Sequence, residues 1–379
     1  MILELHLIQN FAPSNLNRSD TGSPKDCIFG GVRRARISSQ CFKRAMRTYF
    51  RDKFERPEDL AERSTRLMDN IAKRLAEKGR EEELGRKAAL AALETVGIKA
   101  SKKDPDKTAY LLFMGRDEIA KIANVCEEHF DGLVSDKVTD DAKKAVKKEL
   151  LKLMNEGKAA DLGLFGRMLA DLPERNRDAA SQVAHAISTH KVGLEFDFFT
   201  AVDDLKPEDT AGSDHLGTVE FNSACFYRYA NVNVDKLCEN LQKDEELTRA
   251  TVEAYIRAAV EALPTGKQNS FATHERPSLV YAVVRDSGMM SLANAFEHPV
   301  DKQEWNESDK KYDEGLVANS IRRIAAHYDG VTRVYGDNAK SKLFIKTSAA
   351  DASKLGDDAG AFDSLLKGTM SAIFGGVEV

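Results

Sequence analysis

Gly30-Gly31-Val32-Arg33-Arg34-Ala35-Arg36-Ile37-Ser38-Ser39-Gln40 changes period halfway along. Val32 to Ile37 alternates, with Arg34 and Arg36 opposing Ala35 and Ile37, which is the period of a strand. Ser38-Ser39 then offers an N-cap, and Phe42, Ala45, Met46 and Tyr49 form the apolar stripe of a helix. The two glycines allow close backbone approach, and the free N–H groups at the helix start form a natural anion site. Lys43, Arg44 and Arg47 lie on neighbouring positions of one helix face. Cations at this density suit a phosphodiester backbone; the alternative is a cap with surface salt bridges. Without GxxxxGK[ST] spacing the segment is not a P-loop.

The surrounding charge sharpens the point. Residues 11–47 carry Arg18, Lys25, Arg33, Arg34, Arg36, Lys43, Arg44 and Arg47 against only Asp20 and Asp26. The chain as a whole has 56 Lys+Arg, 61 Asp+Glu and a net charge of -5, so this basic segment sits on an acidic body, a field that steers polyanions to one place. With 379 residues, 42% hydrophobic and 31% charged, the composition is that of an ordinary globular protein large enough for one to three domains. No apolar run approaches the ~18 residues of a membrane span, and the start has no secretory pattern. Five scattered cysteines without CxxC spacing argue against a disulfide framework or zinc knuckle, so a cytoplasmic location is expected.

Working outward, residues 2–9 alternate, with Leu3, Leu5 and Leu7 opposing Glu4 and His6, as in a half-buried strand. Residues 12–26 form a polar, turn-rich segment. Residues 57–160 are Lys/Glu/Ala/Leu-rich without strand signals and predict a helical insertion. Within it Thr139 caps and Gly157 stops a helix whose inner face is Ala142, Val146, Leu150 and Leu153. Its Lys143, Lys144, Lys147 and Lys148 suit a solvated face, with a nucleic-acid grip as the alternative. Further on, the pattern predicts a helix over 178–190, an acidic stretch over 195–215, a strand from Thr218 to Val232 and a helix over 246–262. A hairpin of Ser278–Arg285 and Met289–Phe296 turns at Asp286-Ser287-Gly288. A long polar helix, strands over 331–336 and 342–347 and a terminal helix complete an α+β fold, a sheet with helices on one face.

Other segments offer less chemistry. Phe196, Phe198 and Phe199 suit either a stacking platform for unpaired bases or the core of a strand, and composition favours the core. Asp203, Asp204, Glu208, Asp209, Asp214 and His215 invite a metal, but follow no ligand spacing and suit a solvated acidic loop. His185 and His190 fall on different faces of the predicted helix, and no GxSxG or HExxH occurs. Nothing in the pattern demands an enzyme, a metal or a cofactor.

Asn17-Arg18-Ser19-Asp20 through Lys25-Asp26, Ile28-Phe29-Gly30-Gly31 and Ile37-Ser38-Ser39-Gln40 closely resemble the CasC family, the backbone subunit of the type I-E CRISPR Cascade complex. Gly166-Arg167-Met168, Ala184-His185-Ala186-Ile187-Ser188-Thr189-His190, Phe199-Thr200-Ala201-Val202-Asp203-Asp204 and His215-Leu216-Gly217-Thr218 continue the resemblance. So do Phe226-Tyr227-Arg228-Tyr229-Ala230-Asn231 and Ser291-Leu292-Ala293-Asn294-Ala295-Phe296. The resemblance implies a right-hand shape with an RRM-like (ferredoxin-like) palm at 1–56, 161–190 and 223–379. Helical fingers would occupy 57–160, and a protruding thumb loop 191–222.

It also implies a non-catalytic scaffold whose copies polymerise along CRISPR RNA beside other Cascade subunits, presenting the spacer for pairing with target DNA. Ser38, Ser39, Gln40, Lys43, Arg44 and Arg47 would hold phosphates, together with Arg18, Lys25, Arg34 and Arg36. Gly30 and Gly31 would let RNA approach. Met168, with Gly166 and Arg167, would wedge against a base, and Phe198, Phe199 and Thr200 would intercalate from the thumb. Lys267 and Gln268 would form another RNA-contacting turn. Cys41-Phe42 replaces the family's usual Ser-Leu, and Phe198 stands where Trp is frequent. A metal-independent ribonuclease acting on CRISPR repeat RNA is the alternative.

Overall fold

The structure, a computed structural model, describes residues 1–135, 138–169, 172–201, 215–306 and 311–375. In chain order it runs β1 (Ile2–Ser14), β2 (Asp26–Phe29), β3 (Val32–Ile37), α1 (Ser39–Lys53), β4 (Ala61–Ser64), α2 (Leu67–Ala76), α3 (Glu82–Thr95), β5 (Leu112–Gly115), α4 (Arg116–Glu128), α5 (Phe130–Val134), α6 (Asp140–Glu156) and α7 (Ala160–Phe165). Then come β6 (Ser181–Val183), β7 (Ala186–Ser188), β8 (Glu195–Ala201), β9 (His215–Asn233), α8 (Val234–Asn240), α9 (Glu245–Glu261), α10 (Gln268–Phe271) and β10 (Leu279–Arg285). β11 (Gln303–Asn306), β12 (Lys311–Glu314), α11 (Leu316–Tyr335), β13 (Ala339–Lys346), β14 (Asp357–Asp358) and α12 (Phe362–Phe374) complete the chain. No helix among the described residues is long and apolar enough to cross a membrane.

The chain divides into two compact units. The first comprises Met1–Tyr49, Gln182–Val232 and Val252–Val379; the second comprises Phe50–Ser181 and Asn233–Thr251. The second is larger than the 57–160 insertion expected, and it takes in a short return of the chain after β9.

The first unit is built on a sheet of order β14-β13-β10-β1-β9-β7-β3-β2, with β6 and β8 also paired to β9. β1 lies between β10 and β9 and is buried on both faces, not half-buried as its alternation predicts. Glu4 is held inside because Arg285 Nε donates to its carboxylate at 2.6 Å and the Tyr229 hydroxyl donates at 2.7 Å. His6 Nδ1 lies 2.9 Å from the Tyr227 hydroxyl, and its ring packs with those of Tyr227, Tyr229 and Tyr281. A strand can bury its polar face when other strands bring partners to it.

Four local expectations are corrected. Residues 178–190 form β6 and β7, not a helix. β10 pairs with β1 and β13, while 289–296 ends in a single 3-10 turn, so no hairpin forms there. Residues 331–335 belong to α11, leaving β13 as the strand of that region. The helical stretch also contains a strand pair, β4 with β5.

The second unit packs α2, α3, α4 and α6 around Ile71, Leu75, Leu93, Ile122, Leu133 and Val146. α6 has the ends its sequence predicts: Thr139 Oγ1 accepts from the Ala142 N–H at 3.3 Å, and Gly157 follows the last turn. Its buried stripe is Val146, Leu150 and Met154, with Leu153 only partly covered. Lys143, Lys144, Lys147 and Lys148 face solvent.

Candidate nucleic-acid interface

The centre of the site is the β3–α1 junction of the first unit. β2 and β3 form a hairpin whose two-residue turn is Gly30-Gly31, both with positive φ (58° and 76°), as a tight reversal requires. A side chain at Gly30 would place its Cβ 1.7 Å from the Glu297 carbonyl oxygen, whereas Gly31 has open space around it. The close approach that Gly30 permits is, within this chain, to the Glu297 backbone.

Ser38 caps α1. Its carbonyl accepts from Cys41 N–H at 3.0 Å and its hydroxyl from the same N–H at 3.4 Å. Ser38 itself is buried, with its own N–H donated to Asn17 Oδ1 at 2.8 Å. The Ser39 N–H donates to His185 Nδ1 at 3.3 Å. The helix start is thus partly closed before any anion arrives, which narrows the expectation of free N–H groups. Ser38 and Ser39 act through this backbone frame, while Gln40 is exposed at the next position.

The arginines divide sharply. Arg34 is fully buried: its guanidinium donates to the carbonyls of Phe29 (3.2 Å), Ser188 (3.1 Å), Phe296 (2.8 Å) and Glu297 (3.1 Å). It ties the hairpin to the 296–297 turn and cannot reach a phosphate, so it leaves the predicted set. Arg33 pairs with Asp26. Arg36 is half-buried, donating to the Asp26 carbonyl at 3.1 Å and approaching His185 Nδ1 at 3.2 Å. Arg18 and Arg44 are exposed, and Lys25, Lys43 and Arg47 half-buried.

Their fields converge. Lys25 and Arg44 both act on Cys41, opposing the burial that raises its thiol pKa. The pKa of His185 is lowered, first by burial and then by Arg36 and Lys25. Partial burial lowers the Lys43 ammonium from the ordinary lysine value. The Lys25 carbonyl accepts from the Arg36 N–H at 2.9 Å, Arg36 reaches His185, and Arg44 follows Cys41 by one turn of α1, so Lys25, Arg36 and Arg44 share one basic patch with Cys41 and His185.

The Gly266-Lys267-Gln268 turn joins this frame. A Cβ on Gly266 would lie 2.3 Å from the Leu16 carbonyl, and that carbonyl accepts from Cys41 Sγ at 3.8 Å. Lys267 has a left-handed backbone (φ 52°). Gln268 is spent internally, its amide donating to the Pro264 and Thr273 carbonyls at 3.1 and 2.7 Å. These bonds brace the turn, and the Gln268 Oε1 has no hydrogen-bond partner among the described residues.

β8 and the start of β9 form an antiparallel ribbon with Phe198 opposite Thr218 and Phe199 opposite Gly217. Phe196 and Phe198 are 66% and 65% exposed, so the core reading of these rings is overturned. Phe199 lies on the other face, its ring over Gly217, where a Cβ would come within 2.3 Å of it. Thr200 is exposed beside them. The acids expected to form a loop, Asp203, Asp204, Glu208, Asp209 and Asp214, lie outside the described residues.

In the second unit Gly166-Arg167-Met168 has a clear division of labour. Gly166 has φ 76°, and a Cβ there would meet the Arg177 carbonyl at 2.7 Å. Arg167 is buried, its guanidinium 3.0 Å from both Glu118 oxygens and 2.9 Å from the Met154 carbonyl. The Arg167 guanidinium is thus taken up inside the unit, and Gly166 shapes the turn that presents the next residue. Met168, next in line, is 81% exposed. The same unit holds the potential metal donors Glu128, His129 and Glu149, among which His129 Nε2 lies 3.4 Å from Glu149. They read as a His–Glu pair beside a solvent-facing carboxylate.

His185, which a helix over 178–190 would not bring to this patch, is placed there by the strand pairing of β7 with β3. The alternation of Ala186 and Ser188 with His185 and Ile187 is the strand signal that could have placed it.

A model of the family described as CT1975-like protein matches residues 3–368. The fold is similar to a chain of a solved structure titled "CRISPR RNA-guided surveillance complex, pre-nicking", with 31% identity and TM-score 0.83, covering 99% of this chain and 100% of that one. It is also similar to a chain of a structure titled "CRISPR RNA-guided surveillance complex", with 26% identity and TM-score 0.74, covering 98% and 100%. No curated protein matches.

Proposed function

The chain belongs to the CT1975-like protein family, and we propose that it is an RNA-binding backbone subunit of a CRISPR RNA-guided surveillance complex. The observation that carries this reading is the shared patch of Lys25, Arg36 and Arg44 around a helix start braced by Ser38, Asn17 and His185. Such a patch recognises phosphates without reading bases, which is what a guide-RNA holder needs, since base pairing reads the target. The finer proposal is a type I-E, Cascade-like assembly in the cytoplasm, with copies stacked along CRISPR RNA. The sheet unit would then be the RRM-like palm, and the helical unit the fingers. The β8–β9 ribbon would be the thumb, and Met168 an apolar wedge.

We further propose that the subunit is not a nuclease. Two histidines of the first unit are engaged within the fold: His6 is buried among tyrosines, and His190 bonds the Lys191 carbonyl and the Cys225 N–H. His185 has its Nδ1 taken by two donors, so it cannot act there as a base.

The test is to purify the protein from cells expressing a CRISPR array and partner subunits, then extract and size bound nucleic acid. The proposal expects a discrete, nuclease-protected RNA released by high salt. Protein free of RNA, from cells that made processed CRISPR RNA, overturns it. Cutting of repeat RNA by the purified protein in EDTA would instead favour the ribonuclease.

A further inference from the structure

His185 stands on the exposed side of the short segment between β6 and β7. Two groups meet its Nδ1: the Ser39 backbone N–H at 3.3 Å and Arg36 Nη1 at 3.2 Å. A backbone amide and a guanidinium have protons to give and no lone pair to offer. Nδ1 is therefore the acceptor for both, and the ring proton resides on Nε2. The tautomer follows from the donors around the ring, because a proton on Nδ1 would face two others. Nε2 has no protein partner among the described residues, and the ring is solvent-exposed.

The consequence is a neutral N–H donor held in a fixed direction inside a basic patch. Lys25 and Arg36 supply charge nearby, and the lowered pKa of the imidazole keeps it uncharged. Exposed lysines grip a polyanion electrostatically but are loosely aimed; a ring pinned at one nitrogen is aimed by its other. Resting on the RNA-binding reading above, we propose that His185 is a direct contact to the RNA backbone, its Nε2–H donating to a non-bridging phosphate oxygen. The side chain has two linked tasks: Nδ1 seats the start of α1 and Arg36, and Nε2 engages the phosphate.

The two tasks can be separated by substitution. His185→Asn keeps an acceptor near the Nδ1 position and removes the Nε2 donor, whereas His185→Ala removes both. The probe is an unstructured single-stranded RNA and its DNA equivalent, with affinity measured over a salt series. His185→Asn is expected to fold as the wild type and to bind RNA about five- to tenfold more weakly, the worth of one hydrogen bond. The loss should be the same on DNA, and the salt dependence unchanged, because no charge is removed.

Wild-type affinity for His185→Asn, with loss only in His185→Ala, would make the residue a helix cap and overturn the proposal. Loss on RNA but not DNA would overturn it too, pointing to a ribose hydroxyl. Arg44→Glu serves as the control: if it also leaves binding and salt dependence untouched, it is the RNA-binding reading of this surface that has failed.

Discussion

Replacing Arg34 by Met removes the donor to four carbonyls at once and leaves those of Ser188 and Phe296 buried, a loss of about 3 kcal/mol. Urea unfolding should show the midpoint falling accordingly. Arg44→Ala, at an exposed position two turns into the same region of sequence, should stay within about 0.5 kcal/mol of wild type while weakening RNA binding. Equal effects of the two on stability would contradict the division between clamp and contact. The adjacent glycines make a second pair. Gly31→Ala meets only the cost of a positive φ, of order 1 kcal/mol, whereas Gly30→Ala must also displace the Glu297 carbonyl. Gly30→Ala should therefore be clearly the less stable in the same assay.

The residue scale is also where charge misled most. Arg34 and Arg167 read as RNA-contacting residues because a sequence shows a cation but not what surrounds it. Arg34's acceptor at Phe296 lies 262 residues further along, and Arg167's partner Glu118 lies 49 residues back.

At the scale of elements, β1 carries a testable pH dependence. His6 is enclosed, and burial first, then the charge of Arg285, lowers its pKa from 6.5 to about 3. Its folded pKa lies below the unfolded one, so in acid the unfolded chain takes up a proton that the folded chain refuses. Stability from this residue is complete above about pH 6.5 and falls as the pH drops towards 3, with a slope approaching ~1.4 kcal/mol per pH unit. His6→Phe should flatten that part of the stability–pH curve; a curve parallel to wild type would mean His6 is not kept neutral.

The β8–β9 ribbon makes the opposite kind of prediction. Phe198→Ser should leave thermal stability nearly unchanged, since the ring is mostly exposed, yet impair assembly on RNA. A large drop in melting temperature would show that the ring belongs to a core.

Elements defined by local signals were legible: β3 and α1 by a period switch and a cap, α6 by Thr139 and Gly157, and α9 and β10 by their patterns. Those decided by distant partners were not. The alternation of β1 says half-buried until Arg285 and the tyrosines arrive from β10 and β9. Ala- and His-containing residues 178–190 look helical until β7 pairs with β3 and β9. Phe196 and Phe198 have the composition of a core, yet both rings are mostly exposed.

As a whole molecule the protein is an acidic chain that carries one basic segment. Resemblance across a motif set running from Asn17 to Phe296 pointed to the family, and the match over residues 3–368 agrees with it. The physical core of the claim is that Lys25, Arg36, Lys43 and Arg44 hold phosphates without reading sequence. The most direct measurement is the dependence of affinity on salt for two unrelated single-stranded RNAs, with wild type, Lys43→Gln and Arg44→Gln. The account predicts that both sequences bind alike and that each substitution weakens both equally. Each should also reduce the slope of log K against log salt by about 0.7, the share of one phosphate contact on a single strand. Unchanged affinity and slope in both variants would contradict it, because the basic segment would then be an ordinary charged surface.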